Sequence, residues 1–347
     1  MTTDDEATTR TADAQAAGRG SLLRAEVHRF TARRFVRVLL LLVVAAYLVI
    51  TPLVAVTQFA KPSAASLAAA RAGVAKAVTE QNGFREECLS QPRQDDISAE
   101  EACGPPLTAD DLNVSDFIEK PAFVLADNLP AGAVGVGAAV AALAFVIGAT
   151  YVGAEWSTRS MVSLLFWEPR RLKVMGTKLG VTAAAAVVLG VVAQAVWLVS
   201  AELMARTRGT TDALPRHFWT DLFAQQGRST LLVVITALIG FGIANLVRNT
   251  GASLGVGFVY FAIVENAVRI MRPGWQQWLL TDNAAALVTK GGHRIYLNEA
   301  AQGGGSMDVM PERQVLLSNL HGGLFLCLVT AALLAVGVWS FKRRDLQ

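Results

Sequence analysis

No charged residue interrupts the sequence VLLLLVVAAYLVITPLVAVTQFA, which runs from Val38 to Ala60. Leu, Val and Ala dominate it, and a helix of about 20 such residues crosses a hydrocarbon layer of about 30 Å. A lipid bilayer excludes charged side chains from stretches of this length, whereas water does not. The stretch therefore predicts a membrane-spanning helix.

Five further apolar windows follow in the chain. Four contain no Asp, Glu, Lys or Arg: Asn128–Ala154, Leu179–Ala201, Ser229–Val247 and Leu320–Phe341. The other, from about Ala252 to Ile270, carries Glu265 and Arg269, which are four residues apart and can pair on one helical face. Only a few residues around Arg248 separate it from the preceding window, which predicts a tight hairpin. The sequence thus predicts an all-α integral membrane protein with six transmembrane helices.

The composition excludes several other classes of protein. Of the 347 residues, 53% are hydrophobic and only 17% are charged, against about 25% charged in soluble proteins. No basic run with interleaved aromatics indicates nucleic-acid binding. The three cysteines form no Cys-x-x-Cys pair, so we expect no zinc or other metal site.

Basic residues are concentrated in segments that six spans place on one side of the membrane. These segments are Arg24–Arg37, Arg159–Lys178, Arg248 and Lys342–Arg344. Between Gln58 and Pro130, by contrast, twelve acidic residues outnumber six basic ones. Because positive charge marks the cytoplasmic side, we expect both termini in the cytoplasm of a multi-pass plasma-membrane protein.

The segments outside the spans suggest a simple domain organisation. Residues 1–20 are polar and rich in Thr and Ala, so we expect a disordered cytoplasmic tail. Residues 21–347 then form one transmembrane domain with an outer loop at about 59–130. Before the first span, Ser21 can cap an amphipathic helix on the inner membrane surface, with Leu23, Val27 and Phe30 at helical spacing.

The outer loop is long enough to hold structure of its own. Its Ala-rich stretch Ser63–Thr79 predicts a helix, after which prolines break the pattern. Cys88 and Cys103 lie on the side that we expect to be oxidising. A disulfide would stabilise the loop by about 3 kcal/mol; two free thiols are the alternative.

One catalytic motif matches by chance. The sequence from Gly251 through Ser253 to Gly255 fits the Gly-x-Ser-x-Gly nucleophile elbow. The predicted topology places His217, His293 and His321 at the outer face, opposite Ser253, and His28 on the inner side but outside the core. We therefore expect no histidine to serve Ser253 as a base. We expect no catalytic residues, and we interpret the two glycines as sites of close helix contact.

Four polar side chains lie in or near the predicted spans. They are Gln194, Asn245, Glu265 and Asn266. A polar residue inside a membrane is a candidate functional residue. A hydrogen bond between helices is the alternative for each amide.

The segment after the second span carries the most informative pattern. It reads GAEWSTRSMVSLLFWEPRR from Gly153 to Arg171, which is too charged to span and too apolar for a free loop. Met161, Leu164 and Leu165 form an apolar stripe, which predicts an amphipathic helix along the membrane that ends before Pro169. Glu155 precedes Arg159 by one helical turn, so its carboxylate can pair with Arg159 or with a basic residue of the following turn.

This segment resembles the permease subunit of ABC-2 type transporters. That family has a Glu at the cytoplasmic end of its second span, followed by Thr, Leu-Leu, Pro and basic residues. The same order stands here in Glu155, Thr158, Leu164–Leu165, Pro169 and Arg170–Arg171. Where the family usually has a Gly-Thr pair, this chain has Ser157–Thr158. This departure from the family pattern affects the turn at these residues. High Ala, Val, Gly and Arg usage resembles that of actinobacterial members.

The resemblance implies a transporter subunit without cofactors or ATP-hydrolysing activity of its own. ATP would bind to a separate ABC ATP-binding protein on the cytoplasmic face, and a second permease subunit, identical or different, would complete the pathway. The first and fifth helices would contact the second permease subunit, and membrane lipid would surround the pair. The residues expected to couple to the ATPase are Glu155, Thr158, Arg159, Pro169, Arg170 and Arg171. Exported substrates in the family are lipids, drugs, peptides or polysaccharides.

A second hypothesis needs no transport. The chain could be a membrane scaffold or sensor whose outer loop binds a ligand or partner. The two hypotheses differ in whether an ATPase with a phosphate-binding loop is encoded beside the chain and copurifies with it.

Overall fold

A computed structural model describes residues 22–91, 98–210, 214–296 and 314–343. The predicted disordered tail, residues 1–20, lies outside the described residues. The described chain is almost entirely helical, with two short two-stranded sheets.

Six helices are long and apolar enough to cross a membrane, which confirms the predicted fold class. They are α2 (Arg34–Gln58), α5 (Leu125–Ser157), α7 (Arg171–Arg208), α8 (Phe218–Val247), the stretch Thr250–Met271, and α12 (Asn319–Arg343). Each contains most of one predicted window. α5 and α7 extend beyond their windows because the helical hydrogen bonding continues into the polar flanks, which the charge-free criterion leaves out.

Shorter elements connect these helices. They are α1 (residues 22–32), α3 (Ala64–Ser90), α4 (Ala99–Cys103), α6 (Ser160–Trp167) and α11 (Leu280–Val288), with strands β1 (Phe123–Val124), β2 (Gly209–Thr210), β3 (His293–Tyr296) and β4 (Gln314–Leu317). Three short 3₁₀ turns cover Ala109–Asp111, Val114–Phe117 and Pro273–Trp278. β1 and β2 pair in parallel, while β3 and β4 form an antiparallel hairpin in which His293 lies opposite Leu317. His293 therefore lies in a strand.

The chain divides into two compact units. The first comprises Met1–Val44, Leu129–Val199 and Leu214–Gln347, and the second comprises Ala45–Asn128 and Ser200–Ala213.

The apolar core of the first unit lies where α5 crosses α8. A Cβ atom built on Gly148 would lie 2.1 Å from the carbonyl oxygen of Ala237, and one built on Gly240 would lie 2.3 Å from that of Phe145. Only glycine at both positions permits so close a crossing. The predicted contact glycines make no such close approach within the chain: a Cβ built at Gly251 would lie 3.5 Å from the Asn249 side-chain oxygen, and nothing lies within 4 Å of one built at Gly255.

The hairpin between the fourth and fifth spans is as tight as predicted. Arg248 ends α8 in the left-handed conformation, with φ of 57°. Asn249 then caps the next helix, α9 (Thr250–Val259), by accepting a hydrogen bond from the Ala252 amide at 3.0 Å. A π-helical turn, Tyr260–Val264, separates α9 from α10 (Glu265–Met271) within the same span. Such insertions often accompany functional positions.

The second unit contains the long connection after α2. Ser63 caps α3 through a capping box with Ser66, and α3 continues eleven residues past the predicted end at Thr79, to Ser90, because Glu80, Gln81 and Arg85 are good helix formers. Cys88 and Cys103 are joined by a disulfide, with Cα atoms 5.9 Å apart. The Asn82 side chain both donates to the Leu107 carbonyl and accepts from its amide, each at 2.9 Å.

Candidate functional site

The basic end of the first unit is the end at which α1, α6 and the last turn of α12 lie near the ends of α5 and α8. Contacts across this end tie these elements together: the Trp156 indole donates to Asn245 at 3.3 Å, and Arg171 donates to the Phe341 carbonyl at 3.1 Å. The Arg248 guanidinium also stacks 4.4 Å from the centre of the Trp156 ring. The segments that the sequence assigned to one side of the membrane thus meet in space.

Four charged side chains form a buried ionic cluster at the basic end. They are Glu26 of α1, Arg33 between α1 and α2, Glu155 of α5 and Lys178 of α7. Glu26 and Lys178 are both 0% exposed. Each carboxylate has two cationic partners, because the half-exposed Arg29 of α1 also pairs with Glu26, at 3.1 Å. Buried charges are tolerated when they are paired in this way.

Lys178 lies at the centre of the cluster. Its ammonium nitrogen is 2.6 Å from Glu26 Oε2 and 2.7 Å from Glu155 Oε2. Arg33 bonds the other oxygen of Glu155 at 2.8 Å and donates to the Thr150 carbonyl at 3.2 Å. The cluster therefore connects α1, α5 and α7 through charged hydrogen bonds, which are the stronger kind.

Tyr151 completes the cluster from α5. Its hydroxyl donates to Glu26 Oε2 at 2.6 Å. The centre of its ring lies 4.8 Å from the Arg33 guanidinium carbon and 5.1 Å from the Lys178 ammonium. Phe30 of α1 packs edge-on against the same ring. The aromatic ring thus shields both cations from water and attracts them electrostatically.

The protonation of Glu26 follows from these contacts. Burial raises the pKa of its carboxyl, but the charge of Lys178 and the hydrogen bonds from Lys178 and Tyr151 outweigh burial, so the pKa lies below its ordinary value of 4.5. Glu26 is therefore ionised at neutral pH, and its charge helps to hold α1 on α5 and α7.

A short surface helix, α6, follows directly from the cluster. Arg159 ends α5 in the left-handed conformation, with φ of 58°, and this turn reverses the chain into α6. Met161, Leu164 and Leu165 are buried, which confirms the predicted apolar stripe. The next two residues point away from the chain: Phe166 is 84% exposed and Trp167 is 90% exposed.

A cleft of about 510 Å³ separates α6 from α1. Arg29 and Arg33 line one side, Ser163 and Trp167 line the other, and Glu155 also contributes to the lining. The basic end thus presents two large apolar side chains beside a recess with cationic walls. Exposed aromatic residues next to a pocket are typical of protein-binding surfaces.

Glu155 does not pair with Arg159, which was one of the two kinds of partner expected from the sequence. Glu155 bonds to Arg33 and Lys178, because the left-handed turn at Arg159 ends α5 and breaks the one-turn spacing. Thr158 donates to the Ala154 carbonyl at 2.9 Å and is exposed. Pro169 and Arg170 are exposed after α6, whereas Arg171 contacts α12. Of the predicted coupling residues, only Glu155 belongs to the buried ionic cluster.

The polar candidates in the spans have different surroundings. Gln194 is buried and donates to the Ala133 carbonyl of α5 at 3.0 Å, and Asn245 accepts from Trp156. Both make hydrogen bonds between helices. Asn266 is exposed and donates to the Ala262 carbonyl of its own span at 3.0 Å. Ser253 of the chance elbow lies inside α9 and donates to the Asn249 carbonyl at 2.6 Å, so it is a helix-terminal residue and not an exposed nucleophile.

Glu265 belongs to a second polar group at the far end of the first unit. We call this group, which consists of Glu265, Arg269, Thr281 and Asp282, the far-end polar cluster. Glu265 is fully buried and accepts hydrogen bonds from the amide and the hydroxyl of Thr281. Arg269 lies 3.5 Å from Glu265, which confirms the predicted pair, and 3.1 Å from Asp282.

Sequence reasoning missed Glu26, Arg33, Tyr151 and Lys178. A signal for Glu26 was present, since it lies between Leu23 and Phe30 on the face that was predicted to be apolar. A carboxylate on such a face needs a buried cation as a partner. Lys178, one residue before an apolar window, was attributed to the positive-inside pattern.

No protein-family model matches this chain, and no curated protein matches it either.

Proposed function

We propose that the chain is the permease subunit of an ABC-2 type exporter in the plasma membrane, with both termini in the cytoplasm. The observation that carries the proposal is the packing of α6 on the transmembrane helices beside the buried ionic cluster, where Met161, Leu164 and Leu165 share one apolar core with residues of α5 and α7. The six spanning helices, the order of motif residues from Glu155 to Arg171 and the exposed aromatic tip of α6 support it. ATP is hydrolysed on a separate partner chain in this proposal.

In this proposal, the basic end transmits movement of α6 to the spanning helices. Glu155 lies one turn before the start of α6, and its carboxylate is fixed to α7 through Lys178 and to α1 through Arg33. A movement of α6 therefore displaces the ends of α5 and α7 instead of being absorbed by a flexible loop. Phe166 and Trp167 provide the surface to which an ATPase would bind. Aromatic side chains that become buried in an interface contribute most to the binding energy.

The membrane faces of the chain are consistent with a dimer. Among the six spans, the first and the fifth have the fewest buried residues. In the proposal these two helices meet a second permease subunit, identical or different, and lipid covers the remaining exposed faces.

Copurification tests the proposal. Affinity capture from native membranes, with the captured chains identified by mass spectrometry, should recover an ATPase with a phosphate-binding loop. Trp167→Ala should weaken that association by at least about tenfold, or about 1.4 kcal/mol, without changing the chain's thermal stability, because this side chain is 90% exposed. Trp275→Ala is the matched control, since Trp275 is also exposed but lies outside the basic end. Recovery of the chain without any such ATPase would refute the proposal.

One observation favours the scaffold or sensor hypothesis as a second candidate. The disulfide-linked second unit is a compact structure of its own, which a ligand-binding loop requires. That hypothesis predicts normal behaviour of the Trp167→Ala variant and no ATPase partner.

A further inference from the structure

A large apolar cleft opens between the helices of the first unit. Its volume is about 660 Å³, and residues of α5, α8, the fifth span, α11 and α12 line it. Alanines at positions 138, 142, 284 and 285 leave the space open. Ligand sites for drug-sized molecules have volumes of about 300–1,000 Å³ and are mostly apolar.

Aromatic side chains form one wall of the cleft. Phe145 of α5 and Phe261 of the π-helical turn pack edge to face, with ring centres 6.2 Å apart, and Phe258 lies beside them. Among the lining residues, only Thr236 and Thr281 have polar side chains. The Thr236 hydroxyl donates to the Ala141 carbonyl of α5 and to the Leu232 carbonyl of its own helix. The Thr281 hydroxyl instead bonds to charged groups, since it accepts from Arg269 and donates to Glu265.

Thr281 joins the cleft to the far-end polar cluster. Its amide and hydroxyl both donate to the buried carboxylate of Glu265. Asp282, the next residue, accepts from Arg269 through Oδ1. Tyr260 also contacts this region, since its hydroxyl accepts from the Leu280 amide at 3.4 Å.

The charges of this cluster do not balance. Two carboxylates, Glu265 and Asp282, share the single guanidinium of Arg269. His293 lies 3.9 Å from Asp282 and adds a charge only when it is protonated. The second oxygen of Asp282 is buried and accepts no hydrogen bond from the residues that the structure describes, although the side chain as a whole is 10% exposed. A buried acceptor with an excess negative charge attracts a cationic group.

We propose that the cleft binds a cationic amphiphile, whose apolar body fills the space against α5 and α11 and whose positive group lies beside Thr281, near Glu265 and Asp282. An uncharged lipid chain would satisfy the apolar walls but would leave the excess negative charge unpaired. The assignment of this ligand as a transported substrate rests on the proposed function, whereas binding itself belongs to this chain alone.

A matched series of fluorescent probes tests the proposal on the full chain in lipid nanodiscs without any ATPase. The probes are diphenylhexatriene, its trimethylammonium derivative and its propionate derivative, which share one apolar body and differ in charge. With empty nanodiscs subtracted, we expect saturable binding of the cationic probe about tenfold tighter than that of the neutral one, and weaker binding of the anionic one. Equal binding of all three probes, or no saturable binding, would overturn the proposal.

Two pairs of variants locate the site. Ala142→Trp should abolish binding by filling the cleft, while Ala139→Trp, on the same helix but outside the lining, should not. Asp282→Asn should remove the tenfold preference for the cationic probe, and Asp221→Asn, an exposed acid paired with Lys290, should retain it. Binding that survives Ala142→Trp would also overturn the proposal. The charge series on the unaltered chain gives an answer even if a variant fails to fold, and neither result depends on whether an ATPase copurifies.

Discussion

Lys178 is the residue on which the balance of the buried ionic cluster depends most, because its ammonium contacts both carboxylates within 2.7 Å. If it is removed, each buried carboxylate keeps one cationic partner: the half-exposed Arg29 for Glu26, and Arg33 for Glu155. The idealised cost of a buried charge without its partner is large, and measured losses for breaking such pairs are about 3–5 kcal/mol. Replacing all partners together is often much less costly, since no charge is then stranded.

We therefore predict that Lys178→Met lowers the free energy of unfolding by about 3–5 kcal/mol. Fluorescence-detected thermal unfolding of the purified chain measures the effect. Lys290→Met is the matched control, because Lys290 forms an exposed ion pair with Asp221 at 2.8 Å, and such pairs contribute about 0–1 kcal/mol. Equal small losses in both variants would show that the cluster contributes little to stability.

The depressed pKa of Glu26 gives a second prediction at this scale. Because the folded pKa lies below the ordinary value of 4.5, the ionised carboxylate stabilises the folded chain above that value, and this contribution is lost as the pH falls through the folded pKa. Thermal stability followed from about pH 7 to about pH 3 should therefore fall more steeply in the natural chain than in Glu26→Gln. The two curves should converge at the acidic end; parallel curves would contradict the assignment.

For single residues, the sequence identified a residue of the cluster but did not identify its partners. Glu155 was found from its place at the end of a span, but its partners Arg33 and Lys178 are 122 residues before it and 23 residues after it in the chain. Spacing along one helix can reveal partners one turn away. Contacts between helices depend on how the helices pack, which a single sequence does not contain.

Secondary-structure elements were more predictable, because each depends on a local signal. The apolar stripe of α6, the helix that begins after Ser63 and the short hairpin at Arg248 are all present. The π-helical turn at Tyr260–Val264 was not predicted, since its sequence is as apolar as the α-helix around it. The crossing of α5 and α8 was missed for the same reason: Gly148 and Gly240 do not differ in sequence from glycines that contact nothing, such as Gly135.

That crossing gives a prediction at the scale of the element. In Gly148→Ala, the new Cβ would lie 2.1 Å from the Ala237 carbonyl oxygen, so α5 and α8 must move apart and the core must loosen. We expect a loss of about 1–3 kcal/mol in the free energy of unfolding, as for other overpacked cores. Gly135→Ala, on the same helix with nothing within 4 Å, should be neutral or slightly stabilising because alanine favours helix. A loss in Gly135→Ala equal to that in Gly148→Ala would refute the close crossing as its cause.

For the whole molecule, hydropathy was sufficient to identify six spans, because only helices of that length satisfy their backbone polar groups in lipid. The division into two compact units was not predicted. Its boundary falls inside a continuous helix, since α5 contributes residues to both units, and hydropathy gives no sign of such a boundary. The predicted sidedness of the molecule rests on charge alone. The basic segments meet at one end of the first unit, and all twelve acidic residues between Gln58 and Pro130 belong to the second.

The last prediction is that the basic end faces the cytoplasm. Translocating Lys and Arg in short loops is unfavourable, and their excess on one side sets the orientation of the whole chain. In a Cys327→Ser background, which removes the exposed free thiol, we would introduce either Lys76→Cys in α3 or Phe166→Cys in α6; both side chains are well exposed. A membrane-impermeant maleimide added to intact cells should label position 76 and not position 166, and permeabilised cells should show labelling at both. Labelling of position 166 in intact cells would invert the topology, and an ATPase in the cytoplasm could then not reach α6.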